Sequence, residues 1–330
     1  MDALPAHVRA FLNPDFYPHP TADIRLIQTH ISWVFLTGDY AYKLKKPVNP
    51  GFLDFSTLEK RRFYCRRELE LNRRLAPKIY LDVLPVGRAD GEYRLGGKTD
   101  TADYCLKMRQ FDQRDLLDQR LDAGTFEPTW MDTLAADIAD FHKHAETAPR
   151  EFGGIDALRR HIKANFQIAK QHLGTALSES TYTTLRDHCR TLLRRQAKAV
   201  ARRLQQGHVR DCHGDLHLRN IALFRHKPCV FDCIEFGDEF RMIDTMNDVA
   251  FLLMDCDARG RPDLGYRFLS RYLEHTGDYD GLALLPLYLI YRACVRGKVA
   301  CLLAEDRGVD EATRTAQLAE ASHYFSLAES

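Results

Sequence analysis

The chain lacks what would anchor it in a membrane or staple it with disulfides. Its most apolar stretch, Leu282 to Leu303, is interrupted by Arg292, Arg296 and Lys298. A spanning helix rarely tolerates three such charges, so a buried or amphipathic helix is expected there. The nine cysteines are odd in number, lie far apart and include no C-x-x-C pair. That speaks against a disulfide framework and against a thiolate zinc site. Met1-Asp2-Ala3-Leu4-Pro5 is neither basic nor apolar enough to open a signal peptide, so reduced thiols in a cytoplasm are expected. Charge of one sign is lacking too: 47 Lys+Arg stand against 46 Asp+Glu, a net of +1. That balance argues against a DNA-coating or polybasic membrane-binding protein. Internal repeats, low-complexity segments and long linkers are also absent.

What is present is a globular composition. Of 330 residues, 45% are hydrophobic and 28% charged, enough for a sizeable core. The near-zero net charge hides an asymmetry. Residues 1–110 carry 18 basic and 13 acidic side chains, or +5; the remainder carries 29 and 33, or −4. The two parts also differ in pattern. Strands are expected at 23–29, 33–36, 40–48, 79–86, 93–95 and 104–111, with turns at Thr37-Gly38-Asp39, Asp90-Gly91 and Gly96-Gly97. Ser56-Thr57-Leu58-Glu59 reads as a capping box opening one helix through Leu75. Beyond Phe111 helices dominate, at 130–144, 156–172 and 182–206, with caps at Thr129, Asp156 and Ser180. A β-like stretch at 208–236 interrupts them, and helices resume near Asp244. Strands first and helices later imply an α+β protein of two lobes, 1–110 and 111–330.

The informative segment is His213-Gly214-Asp215-Leu216-His217-Leu218-Arg219-Asn220, followed by an apolar run that ends in Asp232. The spacing is H-x-D-x4-N, then an Asp twelve residues after the Asn. With 14 His, 31 Asp and 6 Asn in the chain, chance matches to the first pattern number about 0.02. Phosphoryl transfer needs this set of groups. One carboxylate orients the nucleophile's proton, and an Asn oxygen with a second carboxylate suits magnesium. The blander alternative is that Asp215 and Asn220 cap a turn and Asp232 ends a strand.

The N-terminal part supplies partners for that chemistry. Ala41 and Lys43 share one strand face, leaving room for a purine beside a lysine that reaches phosphates. Glu68 on the next helix can pair with that lysine. Lys45 is the rival of Lys43, and Glu70 the rival of Glu68, pointing about 200° away around the helix. Any one of these alone would read as a solvated surface charge. Their joint order raises the functional reading: strand Lys, helix Glu, Asp–Asn loop, strand Asp.

These motifs resemble the protein-kinase-like fold. Within it the chain is most similar to the aminoglycoside phosphotransferase family, whose loop reads H-G-D-x-H-x-x-N, as His213, Gly214, Asp215, His217 and Asn220 do. The segments 34–48 and 51–58 look like a bacterial branch in which such a domain is often fused to a C-terminal P-loop ATPase domain. The resemblance implies a bilobal fold and an ATP- and Mg²⁺-dependent kinase acting on a small-molecule hydroxyl. It makes Asp215 the catalytic base, with His213 in the same motif, and Asn220 and Asp232 the metal ligands. Lys43 would contact the α/β-phosphates, with Glu68 its partner. Residues 107–111, with Met108 and Gln110, would be the hinge that meets adenine. Asp248 resembles a family Asp that braces the catalytic loop. No G-x-G-x-x-G precedes the lysine strand, so Gln28 to Ser32 would cover the phosphates with hydroxyls and backbone amides. Asp232-Cys233-Ile234 replaces D-F-G and no A-P-E follows, which argues against an activation loop regulated by phosphorylation. No G-x-x-x-x-G-K-[ST] is found, so a P-loop ATPase would have to be a separate partner.

Other features have plainer readings. The helix carrying Arg61, Arg62, Arg66, Arg67, Arg73 and Arg74 is expected to be a solvated face paired to Glu59, Glu68 and Glu70 rather than a grip on nucleic acid. His142, His144, His161 and His172 are expected at the surface, and Cys212 and Cys233 as buried small hydrophobes. The acids Asp238, Glu239, Asp255, Asp257, Asp263, Asp278 and Asp280 could line a cleft for a cationic acceptor. A nucleotide-binding regulatory module, and a protein or RNA kinase, are the alternative functions. The complete Lys–Glu–Asp–Asn–Asp set argues against a decayed kinase.

Overall fold

In the computed structural model residues 4–21, 23–51, 53–89, 91–306 and 308–330 are described. Met1, Asp2, Ala3, Phe52 and Asp90, which enter the sequence reading, lie outside them. In chain order the elements are α1 (Ala6–Arg9), β1 (Arg25–Gln28), β2 (Ser32–Leu36), β3 (Tyr40–Lys45), α2 (Leu58–Asn72), β4 (Tyr80–Ala89), β5 (Glu92–Leu95) and β6 (Asp103–Arg109). There follow α3 (Leu117–Asp122), α4 (Trp130–His144), α5 (Ile155–Gln171), α6 (Glu179–Gln205), β7 (Val209–Asp211), β8 (Ile221–Phe224) and β9 (Lys227–Val230). The chain ends with α7 (Asp238–Arg241), β10 (Met242–Asp244), α8 (Thr245–Ala258), α9 (Pro262–Thr276), α10 (Leu285–Ala304) and α11 (Glu311–Glu329).

Two compact units form, residues 1–120 with 222–238, and residues 121–221 with 239–330. A single cut at residue 110 does not describe this division. The β8–β9 hairpin segment packs with the N-terminal sheet, where Phe224, Cys229 and Phe231 join the cluster around Ile79, Tyr80 and Leu106.

The first unit is built on an antiparallel six-stranded sheet in the order β1-β2-β3-β6-β4-β5. Period-two alternation divides β3 cleanly. Tyr42 and Leu44 enter the core with Phe35, Trp33 and Val86. Ala41, Lys43 and Lys45 point to the other face, where α2 lies, because Lys43 and Lys45 both bond to Glu68. The apolar face is covered by Val8, Phe11 and Tyr17 from a short helical segment that the sequence reading leaves unassigned. Each fully buried aromatic of this kind contributes roughly 1.5–3 kcal/mol. α2 begins one residue later than the capping box suggests: Thr57, not Ser56, is the N-cap, accepting from the Lys60 N–H.

The second unit is helical. Residues Thr245 to Cys256 of α8 are buried without interruption, so this helix is its core. α9 and α10 pack on it, and α10 also packs on α5 and α11. β7 pairs antiparallel with β10, and the residues after β7 form the 212–220 loop. Arg203 fixes this end of the unit: it is buried and bonds to both oxygens of Asp244 and both of Asp278. Two full carboxylates on one guanidinium satisfy charges that would otherwise be costly to bury. Among the described residues no helix is long and apolar enough to cross a membrane.

Candidate active-site residues

In the first unit the expected lysine and glutamate meet. Lys43 Nζ donates to Glu68 Oε1 at 2.8 Å and to Asp232 Oδ1 at 2.7 Å. Glu70 points to solvent and pairs with Arg67 instead. Lys45 proves to be more than a rival. It is 1% exposed and donates to Glu68 Oε2 at 2.7 Å and to Glu235 Oε1. Two ammonium groups thus face three carboxylates, and Glu68 bridges both lysines. Burial works against the charged form of Lys43, but Asp232 and Glu68 outweigh it and hold the proton on. Burial would also raise the Glu68 carboxyl, yet two lysines overcome it and hold it low. Glu235 has one close lysine and the charge of Glu68 beside it, so burial wins and its pKa is raised.

Asp232 sits at the end of the strand-like run with φ +61°, a left-handed conformation uncommon for non-glycine residues but tolerated by Asp better than by most. Its neighbours hold the turn. The Asp232 N–H donates to Tyr80 Oη at 3.1 Å, and the Cys233 N–H to Asn72 Oδ1 at 2.8 Å. Asn72 lies one helical turn beyond Glu68 and donates back to the Glu68 carbonyl. Asp232 Oδ2 has no hydrogen bond among the described residues, and the side chain is partly open to solvent.

The remaining first-unit candidates are placed as follows. Ala41 is buried directly opposite Met108 on the neighbouring strand. Met108 is half-buried against the cluster of Tyr80 and Leu106. Gln110 clips the β2–β3 turn, its side chain accepting from Gly38 N–H and its own N–H donating to Asp39 O, both at 3.0 Å. That N–H is therefore already engaged. Ser32 is 1% exposed, and Thr29 Oγ1 accepts from the Ser32 N–H at 3.0 Å. The turn 29–31 uses these groups to close itself, which leaves Ser32 buried rather than presented for a phosphate.

In the second unit Asp215 and Asn220 meet within one loop. Asn220 Nδ2 donates to Asp215 Oδ2 at 2.8 Å and to the Asp215 carbonyl at 3.0 Å. His217 Nε2 lies 3.2 Å from the same carboxylate oxygen. Burial would raise the Asp215 carboxyl; the His217 contact outweighs it and holds Asp215 well below the usual range. Asp215 Oδ1 and Asn220 Oδ1 make no hydrogen bond among the described residues. Asn220 in this unit and Asp232 in the first each offer side-chain oxygen, the donor type that suits a hard divalent cation.

The loop is braced from beneath. Asp248 Oδ1 accepts from the Gly214 N–H at 2.8 Å, and Oδ2 from the His213 N–H at 3.0 Å and from His142 at 3.1 Å. Burial would push this carboxyl up, but the His142 hydrogen bond and charge bring it down to about 2. Asp255 accepts from the Leu218 N–H at 2.9 Å. Arg292 donates to the Gly214 carbonyl at 3.0 Å and to Asn247 Oδ1 at 2.9 Å. Gly214 is required here: its φ is +86°, and a Cβ would meet the Phe240 carbonyl at 2.7 Å. His213 is fully buried, with Nδ1 3.3 Å from the Asp215 N–H, so it faces the loop backbone.

Several expectations are corrected. His142 is 3% exposed and bonds to Asp248 and Tyr272; it is not a surface histidine. His172 is buried too, against Glu305. His142, Cys212 and Asp248 place ligand atoms within 4.8 Å of one another, but the histidine nitrogens and the carboxylate oxygens are already hydrogen-bonded. Arg61 is buried on Asp103 rather than solvated, and Arg73 donates to backbone carbonyls. Three of the seven acids expected to line a cationic cleft are spent on partners within the chain. Asp255 serves Leu218 and Arg259, Asp263 pairs with Arg261, and Asp278 with Arg203. Cys212 and Cys233 are buried, as expected.

Glu235, Asn72 and Arg292 were not singled out as site residues by sequence. The available signals were faint: a second acid three residues after Asp232, an Asn one turn after Glu68, and a charge inside an apolar helix.

The profile of the phosphotransferase enzyme family matches residues 60–285. An uncharacterized protein of Mycobacterium tuberculosis is 33% identical over 289 residues, covering 86% of this chain and 56% of that protein. The chain thus spans about half the length of the curated relatives it matches. Among solved structures, a choline/ethanolamine kinase family protein from Mesorhizobium loti superposes with a TM-score of 0.53 at 12% identity, covering 98% of both chains. An amicoumacin kinase in complex with AMP-PNP, Ca²⁺ and Ami superposes with a TM-score of 0.51 at 13% identity, covering 98% of this chain and 91% of that one. The fold is therefore α+β and protein-kinase-like. These matches lend no support to a separate P-loop partner.

Proposed function

The chain belongs to the phosphotransferase enzyme family, and from that membership we propose that it transfers the terminal phosphoryl group of Mg²⁺-ATP to a hydroxyl of a small molecule. The observation that carries the reading is the Asp215–Asn220 pair. One carboxylate oxygen is tied to the amide and His217, and one is left for an acceptor proton. An Asp held well below its usual pKa stays ionised and can accept or orient that proton.

In this reading Asp215 aligns the acceptor hydroxyl. The new P–O bond forms as the bond to the ADP oxygen breaks, and Asp215 receives the proton. Lys43 steadies the phosphates, held from behind by Glu68. Asn220 and Asp232 would hold magnesium, which supplies charge neutralisation at the phosphates. His213 is a positioning group, since its ring faces the loop backbone. Ala41, Met108 and Gln110 would border the adenine.

The test is Asp215→Ala. Phosphate transfer should fall by at least about a thousandfold while Mg²⁺-ATP binding is retained, as expected when a general base is lost and binding groups remain. Full transfer activity in this variant would overturn the reading.

A further inference from the structure

We propose that Lys45 and Glu235 are a positioning pair for the nucleotide site: they hold the Glu68 carboxylate and the chain beside Asp232 in place, so that Lys43 and Asp232 can part and turn to the phosphates and metal of Mg²⁺-ATP. This rests on the phosphotransfer reading above.

Exposure divides the charge network of the first unit into an open and a closed end. At the open end the Lys43 side chain is 15% exposed and that of Asp232 42%. At the closed end Lys45 and Glu68 are each 1% exposed and Glu235 6%. Phe55, fully buried, lies against the Lys45 ammonium, its ring centre 4.6 Å from Nζ. An ammonium enclosed in this way cannot reach a phosphate. Lys45 therefore acts through the groups it touches.

Glu68 gives each lysine its own oxygen. Oε1 accepts from Lys43 at 2.8 Å, and Oε2 from Lys45 at 2.7 Å. The carboxylate is thus oriented from two sides. Lys43 also donates to Asp232 at 2.7 Å. That bond has to open before Lys43 can meet a phosphate and Asp232 a metal ion. A glutamate with one lysine could swing after it, whereas Lys45 keeps Oε1 where Lys43 needs it.

Glu235 extends the same hold to Asp232. It is the other acceptor of Lys45 and lies three residues after Asp232. Between them the Cys233 N–H is bonded to Asn72 Oδ1. The chain beyond Asp232 is therefore tied to β3 through Lys45 and to α2 through Asn72, while the Asp232 side chain keeps its freedom to turn. Binding groups whose supports are fixed beforehand lose less on binding.

The experiment separates positioning from stability. Mg²⁺-ATP is titrated calorimetrically into the full chain for the wild type, Lys45→Met/Glu235→Met and Glu235→Gln, and each protein is unfolded by denaturant in parallel. The double variant removes both charges and leaves Lys43 on Glu68, so most of the wild-type stability should remain. Its affinity for Mg²⁺-ATP should nevertheless fall roughly tenfold, the scale of loss when groups that orient ligating side chains are removed. Glu235→Gln keeps an acceptor for Lys45 without the charge, and a neutral bond is about half as strong, so its loss should be about threefold. This variant decides the matter if the double variant fails to fold. Wild-type affinity in a stable double variant, or in Glu235→Gln, overturns the proposal, because the pair would then only stabilise the fold. In either case tight binding by the wild type leaves the phosphotransfer reading standing. A wild type that does not bind Mg²⁺-ATP overturns that reading and the proposal with it.

Discussion

The two units hold their chemistry by different means. In the first, charge faces charge: Lys43 and Lys45 are set among Glu68, Asp232 and Glu235. In the second, buried carboxylates face backbone: Asp248 and Asp255 accept N–H groups of residues 213, 214 and 218. Charged pairs can exchange partners, which suits groups that would have to turn to phosphate and metal. Backbone acceptors cannot be exchanged without losing the loop, which suits a segment that must hold one shape.

The largest expected effect is in the charge network. Lys45→Met leaves the buried Glu235 without its lysine, while Glu68 keeps Lys43, and should cost about 3–5 kcal/mol in chemical denaturation. Adding Glu235→Met should recover most of that loss, because replacing a whole buried pair with apolar groups is often neutral. If the double variant were as unstable as the single one, the first unit would not be held by charge pairing.

Asp248→Asn probes the second unit and should cost about 2–3 kcal/mol, since one accepting oxygen becomes a donor facing an N–H. No second substitution at His142 should restore it, in contrast to the Lys45 case. The pH dependence has a definite sign. The folded Asp248 carboxyl titrates near 2, below its unfolded value near 4. Its contribution is fully present above about pH 4 and is lost as the pH falls towards 2. The variant should therefore show a flatter stability profile between pH 4 and 2; an unchanged profile would mean that Asp248 is not the brace.

The smallest effect is Glu70→Gln, within about 0.5 kcal/mol, because Glu70 is exposed and makes one surface pair. A larger loss would blur the distinction between Glu68 and Glu70.

Much of this was legible in sequence where a pattern has a period. Alternation along 40–45 puts Ala41, Lys43 and Lys45 on one face, and α4 runs Trp130–His144 as expected. Caps were less legible: Thr57, Gly154 and Ser178 begin helices expected to start from Ser56, Asp156 and Ser180. Several hydroxyls and carboxylates near a helix start compete for the same N–H groups, and local sequence does not rank them. Least legible were long-range partners. His142 reaches Asp248 across 106 residues, and Lys45 reaches Glu235 across 190. Nothing local marks either as buried. The same holds for Arg292, whose charge inside an apolar helix argued against a membrane span before it appeared as a support for Gly214.

The most direct test of the central claim is calorimetric titration of ATP into the protein with Mg²⁺ and with EDTA, for the wild type, Lys43→Ala and Asp232→Asn. The account predicts binding that needs Mg²⁺ and weakens roughly tenfold or more in each variant. Equal affinity in EDTA, with both variants binding like the wild type, would contradict it.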